Sequence, residues 1–252
     1  MCAVDRSVIS IVIPCYNEEK TIPLLQEVME QVVSELGSSH EVETLIVDDG
    51  STDRTLEGIE RMALRLGGRV LAHASNRGIA EAFRTGFLAA KGDIVCTIDA
   101  DCSFDPLQLA PAIAQLKETG ADIVVASPYH PRGGVEGVPA WRLLLSRGAS
   151  WMYRFLLPVK LYTYTACFRV FRRRAVERLQ FEDPGFLGIS QMLASAILQG
   201  MRVVERPMPL RVRRTGVSKM RTFRVLAGHL RFMSRLGLRK LGSSFRRGTL
   251  QG

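Results

Sequence analysis

The sequence lacks the short motifs of several common nucleotide-binding and metal-binding classes. No G-x-G-x-x-G follows the first predicted strand and no G-x-x-x-x-G-K-[ST] occurs, so dinucleotide-binding and P-loop ATPase folds are disfavoured. The five cysteines are scattered and form no C-x-x-C pair. This pattern argues for a reducing compartment and against a disulfide framework or a zinc site.

Long hydrophobic runs are also missing. No apolar stretch is long enough to cross a bilayer as a helix. The first apolar run, Val8 to Pro14, is short, follows Asp5 and Arg6, and is typical of a strand rather than of a signal peptide. We therefore expect a cytoplasmic protein that is peripheral at the cytoplasmic face of a membrane.

Acidic residues are scarce at the C-terminal end. From Arg202 onward, 14 Lys and Arg residues face a single acid, Glu205, whereas the net charge of the whole chain is +9. Such a segment favours an anionic partner, which could be phosphate, a lipid headgroup or nucleic acid. Nucleic acid is disfavoured because the basic segment has no interleaved aromatic residues and no recognised binding motif.

Strand and helix patterns alternate through the first half of the chain, with short links. This order predicts an α/β fold with a mostly parallel central sheet covered by helices. Asn17 is expected to cap the first helix. The strands are predicted at 8–14, 42–47, 70–74, 94–98, 123–126, 165–171 and 201–205.

Polar residues follow four of these strands. The carboxyl ends of parallel strands meet at one edge of a sheet, where ligands bind in open α/β folds. The pair Asp99 and Asp101 offers two hard oxygen ligands that can hold Mg²⁺ or Mn²⁺, and such an ion can hold a diphosphate. The other members of this crevice are expected to be Tyr16, Asn17, Glu18, Asp48, Asp49, Asn76 and Arg77.

Four motifs together resemble glycosyltransferase family 2: residues 12–18 (VIPCYNE), 47–53 (VDDGSTD), 76–78 (NRG) and 99–101 (DAD). Three later segments resemble the dolichol-phosphate mannosyltransferase branch of that family: 146–149 (SRGA), 165–170 (TACFRV) and 216–219 (GVSK). The resemblance extends from about Ser7 to Phe232. It implies one nucleotide-sugar-binding domain of the glycosyltransferase A type over residues 1–220.

The resemblance also implies a reaction and its residues. GDP-mannose or UDP-glucose would be the donor, and the hexose would pass with inversion to a polyprenyl or dolichyl phosphate. Asp99, Asp101 and Arg213 would be catalytic, with the two aspartates also binding the metal. The implied donor-binding set is Pro14, Tyr16, Glu18, Asp48, Asp49, Asn76, Arg77, Ala100, Arg213 and Lys219.

The acceptor phosphate would be held by Arg142 and Ser146, which share a face of one predicted helix. Pro128 stands where the branch usually has an arginine, and Arg132 in the same loop is expected to replace it. A phosphate monoester has a second pKa of about 6, so this acceptor needs no protein base. The alternative is a hydroxyl acceptor on a saccharide, lipid or protein, with Asp183 as the base.

The basic C-terminal segment is predicted to form an amphipathic helix over residues 221–242. We expect its apolar side to dock on an anionic membrane surface, with a membrane protein as a possible further partner. Residues 243–252 are expected to form a disordered tail. The predicted apolar side consists of Val225, Leu226, His229, Phe232, Met233 and Leu236.

Overall fold

The computed structural model describes residues 7–211 and 227–237, and its strands and helices alternate as predicted. The strands are β1 (Val8–Cys15), β2 (Glu41–Asp48), β3 (Arg69–Ala72), β4 (Ile94–Thr97), β5 (Ile123–Ser127), β6 (Gly134–Glu136), β7 (Arg169–Arg172), β8 (Val203–Pro207) and β9 (Pro209–Arg211). The helices are α1 (Ile22–Gly37), α2 (Thr55–Leu66), α3 (Ile79–Ala89), α4 (Leu109–Thr119), α5 (Ala140–Leu156), α6 (Arg173–Val176), α7 (Phe186–Leu198) and α8 (227–237).

Seven strands form one sheet in the order β3-β2-β1-β4-β7-β5-β8. All neighbouring pairs are parallel except those of β7, which runs antiparallel between β4 and β5. Strands β6 and β9 form a separate parallel pair. The predicted α/β fold with a mostly parallel sheet is therefore confirmed.

The apolar sequence of β1 explains its central place in the sheet. Ile9, Ile11 and Ile13 alternate with Ser10 and Val12, and all five are fully buried, as expected for a strand with helices on both faces. One of these helices, α3, lies very close to β1. A Cβ atom at Gly86 of α3 would lie 2.2 Å from Val12 Cγ1, so only glycine permits this approach.

Two local predictions were wrong. The strand predicted over 165–171 starts only at Arg169. The first helix begins at Ile22, and Asn17 has a left-handed backbone with φ of 52°, so it is not the helix cap. Its side chain instead contacts the loop after β2, as described below.

The apolar side of the C-terminal helix packs on the protein itself. His229, Met233 and Leu236 of α8 are buried, and His229 Nδ1 lies 2.8 Å from the Tyr153 hydroxyl of α5. The Phe232 ring also lies against Tyr153. This part of the predicted membrane-docking side is therefore not available to a lipid surface, because α5 already covers it. Residues 221–226 and 238–252 of the predicted helix and tail lie outside the described residues.

In the parts of the chain that the structure describes, no helix is both long enough and apolar enough to span a membrane.

Candidate active site

The sheet order places the predicted crevice residues along one edge. Strands β3, β2, β1 and β4 are neighbours and parallel, so their carboxyl ends lie side by side. We call the loops at these ends the donor edge, defined as residues 15–18, 48–53, 73–78 and 99–101. Pro14 lies in β1 itself, buried and opposite Val47 of β2.

The loop after β1 is bonded to the loop after β2. Asn17 Oδ1 accepts a hydrogen bond from the Thr52 backbone N–H at 2.7 Å, and the Asn17 N–H donates to Ser51 Oγ at 2.9 Å. Glu18 is buried and accepts from the Thr21 hydroxyl at 3.1 Å. The side chain of Tyr16 is partly exposed at the same loop. These bonds fix the first wall of the crevice.

Asp48 is a buried carboxylate, and only one of its two oxygens is hydrogen-bonded within the described residues. Its side chain lies at the end of β2 and only 2% of the residue is exposed. Oδ2 accepts from the Ser51 N–H at 3.1 Å, whereas Oδ1 has no hydrogen-bond partner among the described residues. A buried acceptor without a partner is costly, so Oδ1 is suited to a donor group of a ligand.

In Asp49, the next residue, both carboxylate oxygens are hydrogen-bonded within the protein. Oδ1 lies 2.7 Å from His73 Nδ1 and accepts from the Arg77 N–H at 2.9 Å. Oδ2 accepts from Asn76 Nδ2 at 2.9 Å and from the Gly78 N–H at 2.8 Å. The predicted donor-binding residues Asp49 and Asn76 therefore bond to each other, and together they shape the loop after β3.

The side chain of Arg77 is exposed and lies 3.5 Å from Glu81 on α3. The backbone of the same loop is constrained at Gly78, where φ is 103° and a Cβ atom would lie 2.4 Å from the Pro184 carbonyl oxygen. Only glycine fits both conditions.

Sequence reasoning did not assign His73 to the hydrogen-bond network around Asp49. Its ring is buried, and Nε2 lies 2.9 Å from Thr85 Oγ1.

Asp99 and Asp101 lie in the turn that follows β4 rather than in the strand. Both are partly exposed, whereas Ala100 between them is buried. Asp101 Oδ1 accepts from the Ser103 N–H at 3.0 Å. The two acids are thus accessible at the donor edge, in the turn that follows the strand.

Two buried residues, Cys167 and Arg169, lie next to Asp99. Burial raises the pKa of the Cys167 thiol well above its usual value, and the charge of Asp99, to which the thiol is hydrogen-bonded, raises it further. Burial lowers the pKa of Arg169 to about 10, while the neighbouring Cys167 and Asp99 oppose that shift. The Arg169 Nη2 donates to the Tyr164 carbonyl at 3.2 Å. A buried cation therefore lies near the aspartate pair, a feature that sequence reasoning missed.

A second set of polar residues lies on segments 127–130 and 162–165, which contact Ser146 of α5 and also Glu205. We call it the acceptor edge, defined as residues 127–130, 146–147 and 162–165 with Glu205. Ser146 Oγ lies 2.9 Å from Thr165 Oγ1 and is hydrogen-bonded to the Tyr129 hydroxyl. The Arg147 guanidinium lies 5.3 Å from the centre of the Tyr129 ring. Hydroxyl groups and a cation are suited to binding a phosphate. Sequence reasoning named Ser146 but not its neighbours Tyr129, Arg147 and Thr165.

Glu205 joins the segments of the acceptor edge. Its Oε1 accepts from the Ser127 hydroxyl at 2.6 Å, from the Tyr162 N–H at 2.8 Å and from the Thr163 N–H at 3.0 Å. The sequence contains a signal for this residue, because it is the single acid of the basic C-terminal segment. Its structural role explains why an acid stands there.

The other predicted acceptor residues are placed differently. Arg132 is exposed and lines a cleft of about 380 Å³ with Gln115, Glu205, Arg206 and Pro207, and Ser146 is not among the lining residues. Arg142 lies on α5, but its side chain is outside the described part of the structure. Arg213 and Lys219, predicted to grip the diphosphate, also lie outside the described residues.

Asp183, the base of the alternative reaction, lies in the turn before α7. Its Oδ1 accepts from the Gly185 N–H at 2.8 Å, and its own N–H donates to Gln191 Oε1 at 2.9 Å. The neighbouring Pro184 carbonyl accepts from the Ala80 N–H at the start of α3. The carboxylate therefore has a clear structural role in this turn.

The fold and the acids at its strand ends define a nucleotide-sugar-binding α/β fold of the glycosyltransferase A type. A solved structure of glucosyl-3-phosphoglycerate synthase from Mycobacterium tuberculosis has this fold, with a TM-score of 0.68 and 22% identity. The match covers 92% of this chain and 79% of that one. A family model described as glycosyl transferase family 2 matches residues 10–180. The chain belongs to that family and is a glycosyltransferase, as the motifs predicted.

Three curated relatives show which members of the family this chain is similar to. Polyprenol monophosphomannose synthase of Mycolicibacterium smegmatis is 33% identical over 222 residues, covering 83% of this chain and 80% of the relative. Dolichol-phosphate mannosyltransferase of Pyrococcus furiosus is 30% identical, covering 90% and 63%. Dodecaprenyl-phosphate galacturonate synthase of Rhizobium johnstonii is 28% identical, covering 89% and 66%. The chain thus spans less than two thirds of the length of the last two.

Proposed function

We propose that this chain transfers a hexose, mannose or glucose, from a nucleotide sugar to a polyprenyl or dolichyl phosphate, with inversion at the anomeric carbon. The names of three curated relatives support the acceptor class, because each refers to a polyprenol, dolichol or dodecaprenyl compound. The same names differ in the sugar, mannose in two and galacturonate in the third. The proposal is therefore more specific for the acceptor than for the donor.

The observation that carries the donor side is Oδ1 of Asp48, which has no hydrogen-bond partner among the residues that the structure describes. A ribose hydroxyl or a base N–H would donate the missing hydrogen bond to this oxygen. In other nucleotide-binding folds an acid that follows a strand accepts a hydrogen bond from a ribose hydroxyl in the same way. Glu18 and Tyr16 lie on the neighbouring loop and would complete the nucleoside site. Asp49 and Asn76 would act through the loop that they hold in place.

Asp99 and Asp101 would hold a Mg²⁺ or Mn²⁺ ion at the donor diphosphate. Within residues 7–211 and 227–237, no three His, Cys, Asp or Glu side chains are grouped to hold a metal. Two carboxylates with substrate phosphates are the ligand set that Mg²⁺ commonly takes, so the residues present fit. Solved structures of similar fold include complexes with UDP and Mn²⁺ or Mg²⁺. When bound, the ion would stabilise the charge of the departing diphosphate.

The transfer itself needs no protein base. An oxygen of the acceptor phosphate attacks C1 of the sugar, the bond from C1 to the diphosphate breaks, and the nucleoside diphosphate leaves with the electron pair. The attacking oxygen is already an anion near neutral pH, because the second phosphate pKa is about 6. Ser146 and Tyr129 would orient the phosphate, and Arg142 and Arg132 would add positive charge.

A lipid acceptor implies work at a membrane. We infer that the protein is peripheral at the cytoplasmic face, where nucleotide sugars are present, with an anionic lipid surface and a membrane protein as partners. Arg213 and Lys219 of the basic segment would bind the diphosphate.

A thermal-shift panel tests the donor side. We expect GDP-mannose or UDP-glucose with Mn²⁺ to raise the Tm, since a ligand at 100 times its Kd stabilises by about 2.7 kcal/mol. The same panel with Asp48→Asn is the control. Stabilisation of the wild type by no nucleotide sugar would contradict the proposal. Transfer of labelled sugar to polyprenyl phosphate then tests the acceptor, and transfer only to a hydroxyl compound would favour the Asp183 alternative.

A further inference from the structure

Arg169 of β7 is a buried cation, and the proposed function does not use it. Only 1% of the residue is exposed. Its Nη2 donates to the Tyr164 carbonyl at 3.2 Å, whereas Nε has no hydrogen-bond partner among the described residues. A buried charge is costly unless an opposite charge and hydrogen bonds offset that cost. An anion close to the guanidinium is therefore expected.

The helices that pack over Arg169 offer it only apolar side chains. Arg169 shares a small cavity with residues of α3 and α7, which are Phe83, Phe87, Ile189 and Met192. This cavity has no room for a water molecule, so water cannot solvate the charge there. Charges attract each other more strongly where water is excluded, and a carboxylate near Arg169 therefore acts on it with little screening.

The sheet places Arg169 beside the strand that leads to the aspartate pair. Strand β7 runs antiparallel to β4, with Arg169 opposite Thr97. The Thr97 hydroxyl donates to the Cys167 carbonyl at 2.6 Å, so a side chain also joins the two strands at this point. Asp99 follows Thr97 by two residues. Its carboxylate accepts from the Cys167 thiol, and its charge acts on the Arg169 guanidinium. The anion next to the buried cation thus belongs to the donor edge.

We propose that Arg169 is the counterion of Asp99 and a positioning residue for the metal-diphosphate site. The guanidinium attracts the Asp99 carboxylate from the buried side, and the Cys167 thiol donates to the same carboxylate, while Asp99 stays partly exposed toward the ligand. Groups behind a metal ligand orient that ligand in the same way in other metal sites. The inference rests on the proposed function for what Asp99 binds, but not for the pairing of Asp99 with Arg169.

This pairing makes the two aspartates unequal. Asp99 interacts with buried residues of the sheet, whereas Asp101 Oδ1 accepts from the Ser103 N–H within the turn itself. Two carboxylates that share a metal ion repel each other before the ion binds, and a cation next to one of them offsets that repulsion. We therefore expect Asp99 to stabilise the metal-free protein and Asp101 to contribute much less to its stability.

A double-mutant cycle of thermal stability tests the pairing, with a metal chelator present and no nucleotide sugar. Asp99→Asn leaves the buried cation without its counterion, and we expect the Tm to fall by at least about 6 °C. In an Arg169→Met background the same substitution should change the Tm by less than about 2 °C, because the cation is gone. The matched control, Asp101→Asn, should have the same small effect in both backgrounds. An equal loss for Asp99→Asn in both backgrounds would overturn the proposal.

Arg169→Lys tests the positioning role and keeps the buried charge, so it remains informative if Arg169→Met does not fold. A lysine cannot reproduce the planar guanidinium with its fixed set of donors. We expect the Kd for Mn²⁺, measured by electron paramagnetic resonance, to rise by about tenfold or more. The spectrum of the bound ion should also broaden, because Asp99 is held less uniformly.

The matched control for that variant is Arg172→Lys on the same strand. The Arg172 guanidinium donates to the Ala121 and Leu116 carbonyls, away from the aspartate pair. This control should leave the Mn²⁺ affinity and spectrum unaltered. Wild-type Mn²⁺ affinity and spectrum in Arg169→Lys would contradict the positioning role.

The two measurements separate this inference from the proposed function, since neither uses a sugar donor or a lipid acceptor. Equal Tm losses in the two backgrounds, with normal sugar transfer by the wild type, would contradict the inference alone. Absence of transfer to polyprenyl phosphate by the wild type, with the Tm coupling and the Mn²⁺ effect intact, would contradict the proposed function and leave the role of Arg169 supported.

Discussion

The donor edge and the acceptor edge are built from different materials. At the donor edge, carboxylates accept hydrogen bonds from loop N–H groups, as Asp49 does from Arg77 and Gly78. At the acceptor edge, hydroxyl groups contact one another, as Ser146 does Thr165, and Glu205 joins three separate segments. A carboxylate thus holds the loops at both edges, Asp49 at one and Glu205 at the other, but neutral hydroxyl contacts such as Ser146–Thr165 are found at the acceptor edge.

The largest effect should come from the aspartate pair at the donor edge. We predict that Asp101→Ala lowers kcat/KM by about 1000-fold, because metal stabilisation of the leaving group is worth several kcal/mol. Binding of Mn²⁺, followed by electron paramagnetic resonance, should weaken in parallel while the far-UV circular dichroism stays unchanged.

The matched control for that variant is Asp93→Asn, an exposed acid before the other end of β4. It should leave transfer and Mn²⁺ binding unaltered. Full activity of Asp101→Ala, or of the wild type with all divalent metal chelated, would refute the metal role.

The neighbours Asp48 and Asp49 sharpen the comparison within the donor edge itself. Asp49→Asn replaces an oxygen that accepts two hydrogen bonds with a donor, so we predict a loss of about 2–4 kcal/mol of stability. The Tm should fall by roughly 5–15 °C. Asp48→Asn should change the Tm little and weaken nucleotide-sugar binding by about tenfold, since one of its oxygens has no protein partner in the described residues.

Calorimetry of the two variants decides between these roles. Equal losses of stability would mean that Asp48 is as structural as Asp49. An unchanged donor affinity in Asp48→Asn would remove Asp48 from the nucleoside site.

The same contrast explains which parts of the candidate site could be predicted from the sequence. The position of the donor edge was predictable because each of its loops follows a strand directly and parallel neighbouring strands end at the same edge of the sheet. The acceptor edge was not, because Tyr129, Ser146 and Thr165 come from separate segments and meet only in three dimensions. Arg132 lines a cleft with Glu205, a member of the acceptor edge, and its contact with the acceptor phosphate stays a prediction.

The position of β7 and the burial of α8 were hidden for a related reason. A strand pattern over 165–171 does not reveal that β7 is inserted antiparallel between β4 and β5. An amphipathic pattern shows that a helix has an apolar side but not what covers it. For α8 the cover is α5, through Tyr153 and the residues around it.

The support of α5 by α8 should depend on pH. Burial lowers the pKa of His229 to about 4, and the charge of Asp183 opposes that shift only in part. Because the folded pKa lies below the unfolded value of 6.5, this stability is present above pH 6.5 and is lost as the pH falls toward 4. We predict a loss of about 1–2 kcal/mol between pH 7 and pH 5.

Thermal unfolding of the wild type and of His229→Gln at the two pH values measures this contribution. The variant should be less stable at pH 7, owing to the lost contact with Tyr153, and should lose less stability between pH 7 and pH 5. An identical pH dependence of the two proteins would show that His229 does not titrate in this way.

An effect well below that of Asp101→Ala is expected at the acceptor edge itself. Ser146→Ala removes one hydroxyl that would donate to the acceptor phosphate, and a hydrogen bond to a charged group is worth about 1.5–3 kcal/mol. We predict a rise of at least about tenfold in the KM for polyprenyl phosphate, with the Kd of the nucleotide sugar unchanged. Ser150→Ala, one turn further on the inner side of α5, is the matched control, since its hydroxyl accepts only a long 3.4 Å bond from the Tyr164 N–H. If Ser146→Ala weakened donor binding instead, the two edges would not be separate, because a residue of α5 would then belong to the nucleotide site.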